Sequence, residues 1–171
     1  RDDLVTGVQT CALPIWDVSN VIYMNNMFLN AKNFNKPLNN WDVSNVKSMD
    51  NMFKNASNFN QQLDTWNVSN VIYMENMFNG ARNFNQPLEK WNVSNVQTMK
   101  NMFLCATYFN QSLETWNVSN VRNMRKMFSQ TYNLNQSFDK WNVSNVRIMT
   151  NSFMLSGIEK LPEWYINRID D

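Results

Sequence analysis

Apolar and polar positions along this chain recur in a block of 25 residues, marked by Trp16, Trp41, Trp66, Trp91, Trp116 and Trp141. In the second copy the apolar set is Leu38, Trp41, Val43, Val46, Met49, Met52, Phe53, Ala56 and Phe59, and Leu63 opens the next. Trp41 and Val43 stand two apart among extended-chain formers, which predicts a short strand over residues 40–43 with both side chains inward. Val46, Met49, Met52 and Phe53 follow at intervals of three and four. That rhythm predicts a helical turn with one apolar stripe, capped by the Ser44 hydroxyl and ending near Asn55. A period of this length held without insertion is the mark of stacked copies, each burying its open edge on its neighbours. The fold expected is an α/β solenoid with one short parallel strand and one short helical turn per repeat.

Stacking places like residues in columns. The six tryptophans are expected to form one ladder and the Met and Phe pairs another, with each large aromatic burying on the order of 150–250 Å². In the fifth copy Leu134 replaces the usual phenylalanine and Phe138 the usual leucine, an exchange that conserves volume between two touching positions. Asn20, Asn45, Asn70, Asn95, Asn120 and Asn145 form a polar column, and Asn35, Asn60, Asn85, Asn110 and Asn135 a second. Amides at bends can satisfy backbone groups of their own and the adjacent copy, so both columns are expected to be structural.

The positions that vary between copies follow the second valine, for example Ile22 with Tyr23, Lys47 with Ser48 and Arg147 with Ile148. They are expected on the outside of the helical turn, where a partner can read them. Tyr23, Lys47, Tyr73, Lys100, Arg122, Arg125 and Arg147 make up the candidate binding face, with aromatic anchors toward one end and cations toward the other.

Composition narrows the chemistry. The chain of 171 residues has a mean hydropathy of -0.51 and a net charge of +1 without charge blocks, so neither a transmembrane segment nor a nucleic-acid footprint is expected. It contains no histidine, which removes the commonest general base and the imidazole metal ligands. No Gly-rich phosphate loop appears, and neither enzymatic activity nor a cofactor is expected. Asp64, Glu89, Glu114 and Asp139 fall in one slot, but beside Thr65, Lys90, Thr115 and Lys140 they read as a solvated face rather than a calcium site. Asn67, Asn92, Asn117 and Asn142 create N-V-S sequons at a turn. Cys105 stands alone at a variable position with no basic partner evident in the sequence, so an inert thiol is expected.

The chain divides into three stretches. Residues 5–15 read VTGVQTCALPI, the translation of a short-read sequencing adapter, so residues 1–15, including Cys11, are expected not to be native. Residues 16–153 carry the repeats, the last one partial. Residues 154–171 lose the register and are expected to cap the core, with Pro162 in the first turn of a helix and Leu161, Trp164, Tyr165 and Ile169 facing the last copy.

The pattern W-[DN]-V-S-N-V-x-x-M-x-x-M-F-x-x-A-x-x-F-N-Q-x-L, as in WNVSNVIYMENMFNGARNFNQPLEK from Trp66 to Lys90, resembles the repeat of BspA-like leucine-rich-repeat surface proteins, including those of mycoplasma lipoproteins. The resemblance covers residues 16–153. It implies a leucine-rich-repeat-like right-handed array displayed on a microbial cell surface, with a role in adhesion or in binding a protein or glycan of a host or neighbouring cell. Relatives of the repeat in protists and large DNA viruses imply an alternative, an intracellular protein-interaction scaffold.

Overall fold

The computed structural model describes residues 16–168. The segment expected to be foreign, with Cys11, and the expected cap residue Ile169 lie outside the described residues. Six coils stack in register, each beginning at one of the spaced tryptophans, and a short tail follows the sixth.

The expected strand and helix are absent from the coil. Among the described residues the one helix is α1 (Glu163–Ile166), in the tail. Strand character is confined to isolated parallel bridges, Tyr23 to Ser48, Ser48 to Tyr73, Tyr73 to Thr98, Thr98 to Asn123 and Asn123 to Ile148. The chain is therefore not a strand-and-helix array of leucine-rich-repeat type, and the α/β expectation is corrected. Residues 40–43, expected as a strand, form part of a bend closed by Trp41 N–H on the Leu38 carbonyl at 3.0 Å. Ser44 does not cap a helix. Its backbone N–H donates to Asp42 Oδ1 at 3.0 Å, an Asx turn in which the residue after tryptophan supplies the acceptor.

The physical reason lies in the run that was expected to be helical. The N–H groups of Met49, Asn51, Phe53 and Asn55 cross to the next coil, onto the carbonyls of Tyr73, Glu75, Met77 and Asn79 at 3.0, 2.8, 2.9 and 2.7 Å. Between them, Met52, Lys54 and Ala56 donate to the residue three back, at 3.1, 3.1 and 3.0 Å. An α-helix needs every N–H to reach four residues back. Here alternate groups are claimed by the neighbouring coil. The geometry is set by left-handed residues four apart, Asn51 at φ 57° and Asn55 at φ 59°, and a left-handed residue interrupts a right-handed helix. The same two positions are left-handed in every coil, as Asn26 with Asn30, Asn76 with Gly80, Asn101 with Cys105, Lys126 with Gln130 and Asn151 with Leu155.

Tight turns also explain the interval of three. In the third coil, Val71 donates to Val68, Met77 to Met74, Ala81 to Phe78 and Phe84 to Ala81, and Trp91 then donates to Leu88. Each pair of apolar residues three apart forms the two ends of a turn facing inward, and all of these side chains are buried.

The core is a set of aromatic columns. Trp66, Trp91 and Trp116 stack at 6.4 Å with planes within 3°, and each indole N–H donates to a carbonyl 28 residues earlier, Trp91 to Leu63 at 2.9 Å. Within a coil Phe78 lies 4.1 Å from Phe84, and between coils it lies 5.5 Å from Phe103. Such ring pairs contribute roughly 0.5–1.5 kcal/mol each beyond area burial. In the fifth coil Phe138 packs 5.0 Å from Phe128, so the exchanged ring still reaches the column that Leu134 leaves short.

The tail closes part of the last coil. Trp164, on α1, stacks on Trp141 at 6.4 Å, donates to the Phe138 carbonyl at 2.9 Å and so adds a seventh rung to the ladder. Tyr165 meets Phe153 edge-on at 4.9 Å, and Leu161 packs against the core. Pro162 sits one residue ahead of the helix at its N-cap rather than in the first turn. Gly157 passes so close to the fifth coil that a Cβ there would clash with the Tyr132 carbonyl oxygen.

Candidate functional site

The candidate face surrounds the bridge column and not a helix, which corrects its expected position. Tyr23, at 69% exposure, and Tyr73, at 43%, occupy bridge positions on either side of the buried Ser48. Met24 and Met74 point into the core from the next position, so each tyrosine is turned outward by simple alternation. Lys47 precedes Ser48, and its Nζ donates to Asn70 Oδ1 of the following coil at 3.2 Å.

Two residues further on, Asp50, Glu75, Lys100 and Arg125 fill one column that switches sign along the stack. Asp50 Oδ1 accepts the Glu75 N–H at 2.7 Å, Glu75 Oε1 accepts the Thr98 hydroxyl at 3.0 Å, and Glu75 Oε2 meets Lys100 Nζ at 3.7 Å. Burial pushes the Asp50 carboxyl up, with the Glu75 charge adding to the rise and the Glu75 N–H opposing it. Asp50 and Glu75 were missed in the sequence. The sign change down one column at the 25-residue spacing was the available signal.

Arg122, Arg125 and Arg147 are exposed at the far end. The ion pairs among the described residues are Lys90 with Asp64, Lys100 with Glu75 and Lys140 with Glu114, so these three arginines have no carboxylate within ion-pair reach there. Arg147 N–H donates to the Arg122 carbonyl at 2.9 Å, which sets the two guanidinium stems on adjacent coils. With Asn120, Ser144, Asn145 and Val146 they line a notch of about 270 Å³. The structure thus brings the tyrosines together at one end of the strip and the arginines at the other, with Lys100 held by Glu75 between them.

The family can be read at this point. A family model, described as Mycoplasma protein of unknown function, DUF285, matches residues 6–103 and again 62–164. The chain belongs to the DUF285 family. No curated protein and no solved structure matches it. The two overlapping matches accord with a DUF285 chain built from repeats.

The remaining columns of this DUF285 chain hold the coils together. Asn45 Nδ2 donates to the Ser19 carbonyl at 2.8 Å, and Asn70, Asn95, Asn120 and Asn145 repeat the bond one coil on. Asn35 Oδ1 accepts from Asn60 N–H and Gln61 Nε2, both at 2.9 Å, and Asn60, Asn85 and Asn110 do the same for the coils that follow. Trp16 and Asn20, on the first coil, are exposed. The sequon asparagines serve as turn acceptors, as Asn67 Oδ1 does for Ser69 N–H at 3.2 Å.

The acidic slot pairs diagonally, Asp64 with Lys90 and Glu114 with Lys140, both at 3.1 Å. Among the described residues no group of three or more His, Cys, Asp or Glu side chains could hold a metal ion. Cys105 is half-buried, and its thiol donates to Gln130 Oε1 at 3.2 Å. Burial pushes that thiol up, and the charge of Arg82 offsets part of the rise. No helix among the described residues is long and apolar enough to cross a membrane. Tyr108 and Tyr132, also missed, are exposed on a different side of the coil, after its turn run.

Proposed function

We propose that this chain is a non-enzymatic recognition module of a microbial surface protein that binds a macromolecular partner, a protein or a glycan, through the strip carrying Tyr23, Lys47, Tyr73, Lys100, Arg122, Arg125 and Arg147. The observation that carries the reading is the contrast between columns. Tryptophan, methionine, phenylalanine and asparagine columns are occupied by packing and by bonds between coils, whereas the strip varies from coil to coil and presents exposed rings and guanidinium groups with no ion-pair partner among the described residues. The repeat's resemblance to BspA-like surface proteins supports display outside the cell.

The test is binding of the full chain to immobilised host-cell glycans and extracellular proteins, compared with Tyr23→Ala/Tyr73→Ala and Arg122→Ser/Arg147→Ser variants. All four sites are exposed, so the variants keep the wild-type melting temperature. Loss of one partner's binding by about tenfold or more in either variant supports the reading, and equal binding by all three chains refutes it.

A further inference from the structure

Asn79–Gly80 is the one Asn–Gly pair in the chain, and packing accounts for its glycine. Gly80 fills the second left-handed position of the third coil at φ 72°, and a Cβ there would lie 2.4 Å from Asn55 Oδ1. Glycine meets both the backbone demand and the close approach. It also leaves no side chain to obstruct attack by the Gly80 nitrogen on the Asn79 side chain. An asparagine followed by glycine is for that reason the pair most prone to lose its amide nitrogen.

The stack holds this peptide from both sides. Gly80 N–H donates to the Leu104 carbonyl of the fourth coil at 2.8 Å, and the Asn79 carbonyl accepts the Asn55 N–H of the second at 2.7 Å. Asn79 Nδ2 donates to Asn76 Oδ1 at 3.1 Å. Gly80 is buried, whereas Asn79 is only partly so and lines, with Lys32 and Arg82, a groove of about 470 Å³. Water therefore reaches the amide to be lost, while the attacking nitrogen is tied up in a bond between coils. That nitrogen must release Leu104 and give up its proton before it can bond to Asn79 Cγ.

We propose that Asn79–Gly80 is a deamidation site gated by the contact between the third and fourth coils. When the contact opens, the Gly80 nitrogen bonds to Asn79 Cγ, the Cγ–Nδ2 bond breaks, and ammonia leaves with the proton the nitrogen has lost. Water then opens the cyclic imide. Addition at Cγ leaves aspartate at position 79, and addition at the main-chain carbonyl carbon leaves isoaspartate, whose main chain is one methylene longer. Asn76, Phe78 and Gly80 donate in one row to Lys100, Met102 and Leu104 at 2.9, 2.9 and 2.8 Å. The longer main chain puts Gly80 out of step with Leu104, so an opening that was reversible becomes fixed. The inference does not depend on the strip binding anything.

The test compares the folded full chain with the same chain held unfolded in urea, following by peptide mapping the exchange of NH2 for OH at position 79. Deamidation is expected to be at least tenfold slower in the folded chain. The slowing should match the hydrogen-exchange protection of the Gly80 amide within about threefold, since both require the bond to Leu104 to open. Phe103→Leu, which loosens the ring contact with Phe78, should raise the folded-state rate several-fold, and Trp141→Phe, in the sixth coil, should not. Isoaspartate-containing chain should exchange the Gly80 amide at least tenfold faster than the parent. Equal rates in folded and unfolded chain, a slowing unrelated to Gly80 protection, or equal acceleration by both variants overturns the gating. Full protection of Gly80 in the isoaspartate product overturns the fixed opening.

Discussion

Replacing Asn51 by alanine separates the observed turn run from a helix by the sign of the effect. Asn51 has φ 57°, its side chain makes no hydrogen bond among the described residues, and its N–H donates to the Glu75 carbonyl at 2.8 Å. Alanine keeps that N–H and leaves the core alone, so the change isolates the backbone conformation. A Cβ without asparagine's local polar compensation costs roughly 1–2 kcal/mol in the left-handed region. In a helix the same replacement would gain up to about 0.7 kcal/mol, because alanine is the better helix former. At roughly 2–4 °C per kcal/mol for a chain of this size, Asn51→Ala lowers the melting temperature by about 2–8 °C. Thermal unfolding followed by tryptophan fluorescence reads this directly, since the ladder runs beside the site. Lys126 is the one departure from asparagine in this column and sits at φ 53°, so Lys126→Asn is expected to move the other way, by about 1 kcal/mol. A rise in melting temperature for Asn51→Ala would refute the account of the coil given above.

Further expectations follow from single side chains. Trp91→Phe loses the bond to the Leu63 carbonyl and part of three 6.4 Å ring contacts. Leu63 keeps the Trp66 N–H, so the cost in urea unfolding is about 2–3 kcal/mol rather than more. Ser129 Oγ is buried without a hydrogen-bond partner among the described residues, and Ser129→Ala is expected to stabilise by about 1 kcal/mol; a destabilised variant would refute this. Asp50→Asn keeps an oxygen for the Glu75 N–H and removes a carboxylate whose pKa burial raises. A raised folded pKa favours the neutral acid, so that contribution is present below the ordinary Asp range and is lost as pH rises through the folded value. The variant should therefore be more stable than the parent at pH 7, with the gap closing toward pH 3, and a gap constant with pH would count against the burial argument. Asp17 and Asp42 have the opposite shift, lowered by the Ser19 and Ser44 bonds, and are unchanged in both proteins.

The stacking and its register were legible because one residue type per column at one spacing admits few other packings. Val43, Val46, Met49, Met52, Phe53, Ala56, Phe59 and Leu63, all expected inside, are all buried. The conformation between those residues was not legible. Val46, Met49 and Met52 lie three apart, which suits one face of a helix and equally the ends of successive turns, so periodicity alone does not choose. The discriminating signal was the column Asn30, Asn55, Gly80, Cys105 and Gln130. Asparagine and glycine there reflect a positive φ, and reading the place of Cys105 as merely variable hid that constraint. The candidate face was half legible for a related reason. Exposure of Tyr23, Tyr73 and the arginines follows from their place outside the core set, but the bonds that hold Lys47 to Asn70 and Lys100 to Glu75 depend on which residues of adjacent coils come side by side.

Because the bonds between coils point along the stack, tension applied through the two ends of the chain would load them one coil at a time instead of all together. Each coil that peels away frees 25 residues, a gain of roughly 80–90 Å in contour length. The molecule would therefore lengthen in equal steps at low force. A load carried between two bodies would be dissipated coil after coil, with the remaining coils still stacked.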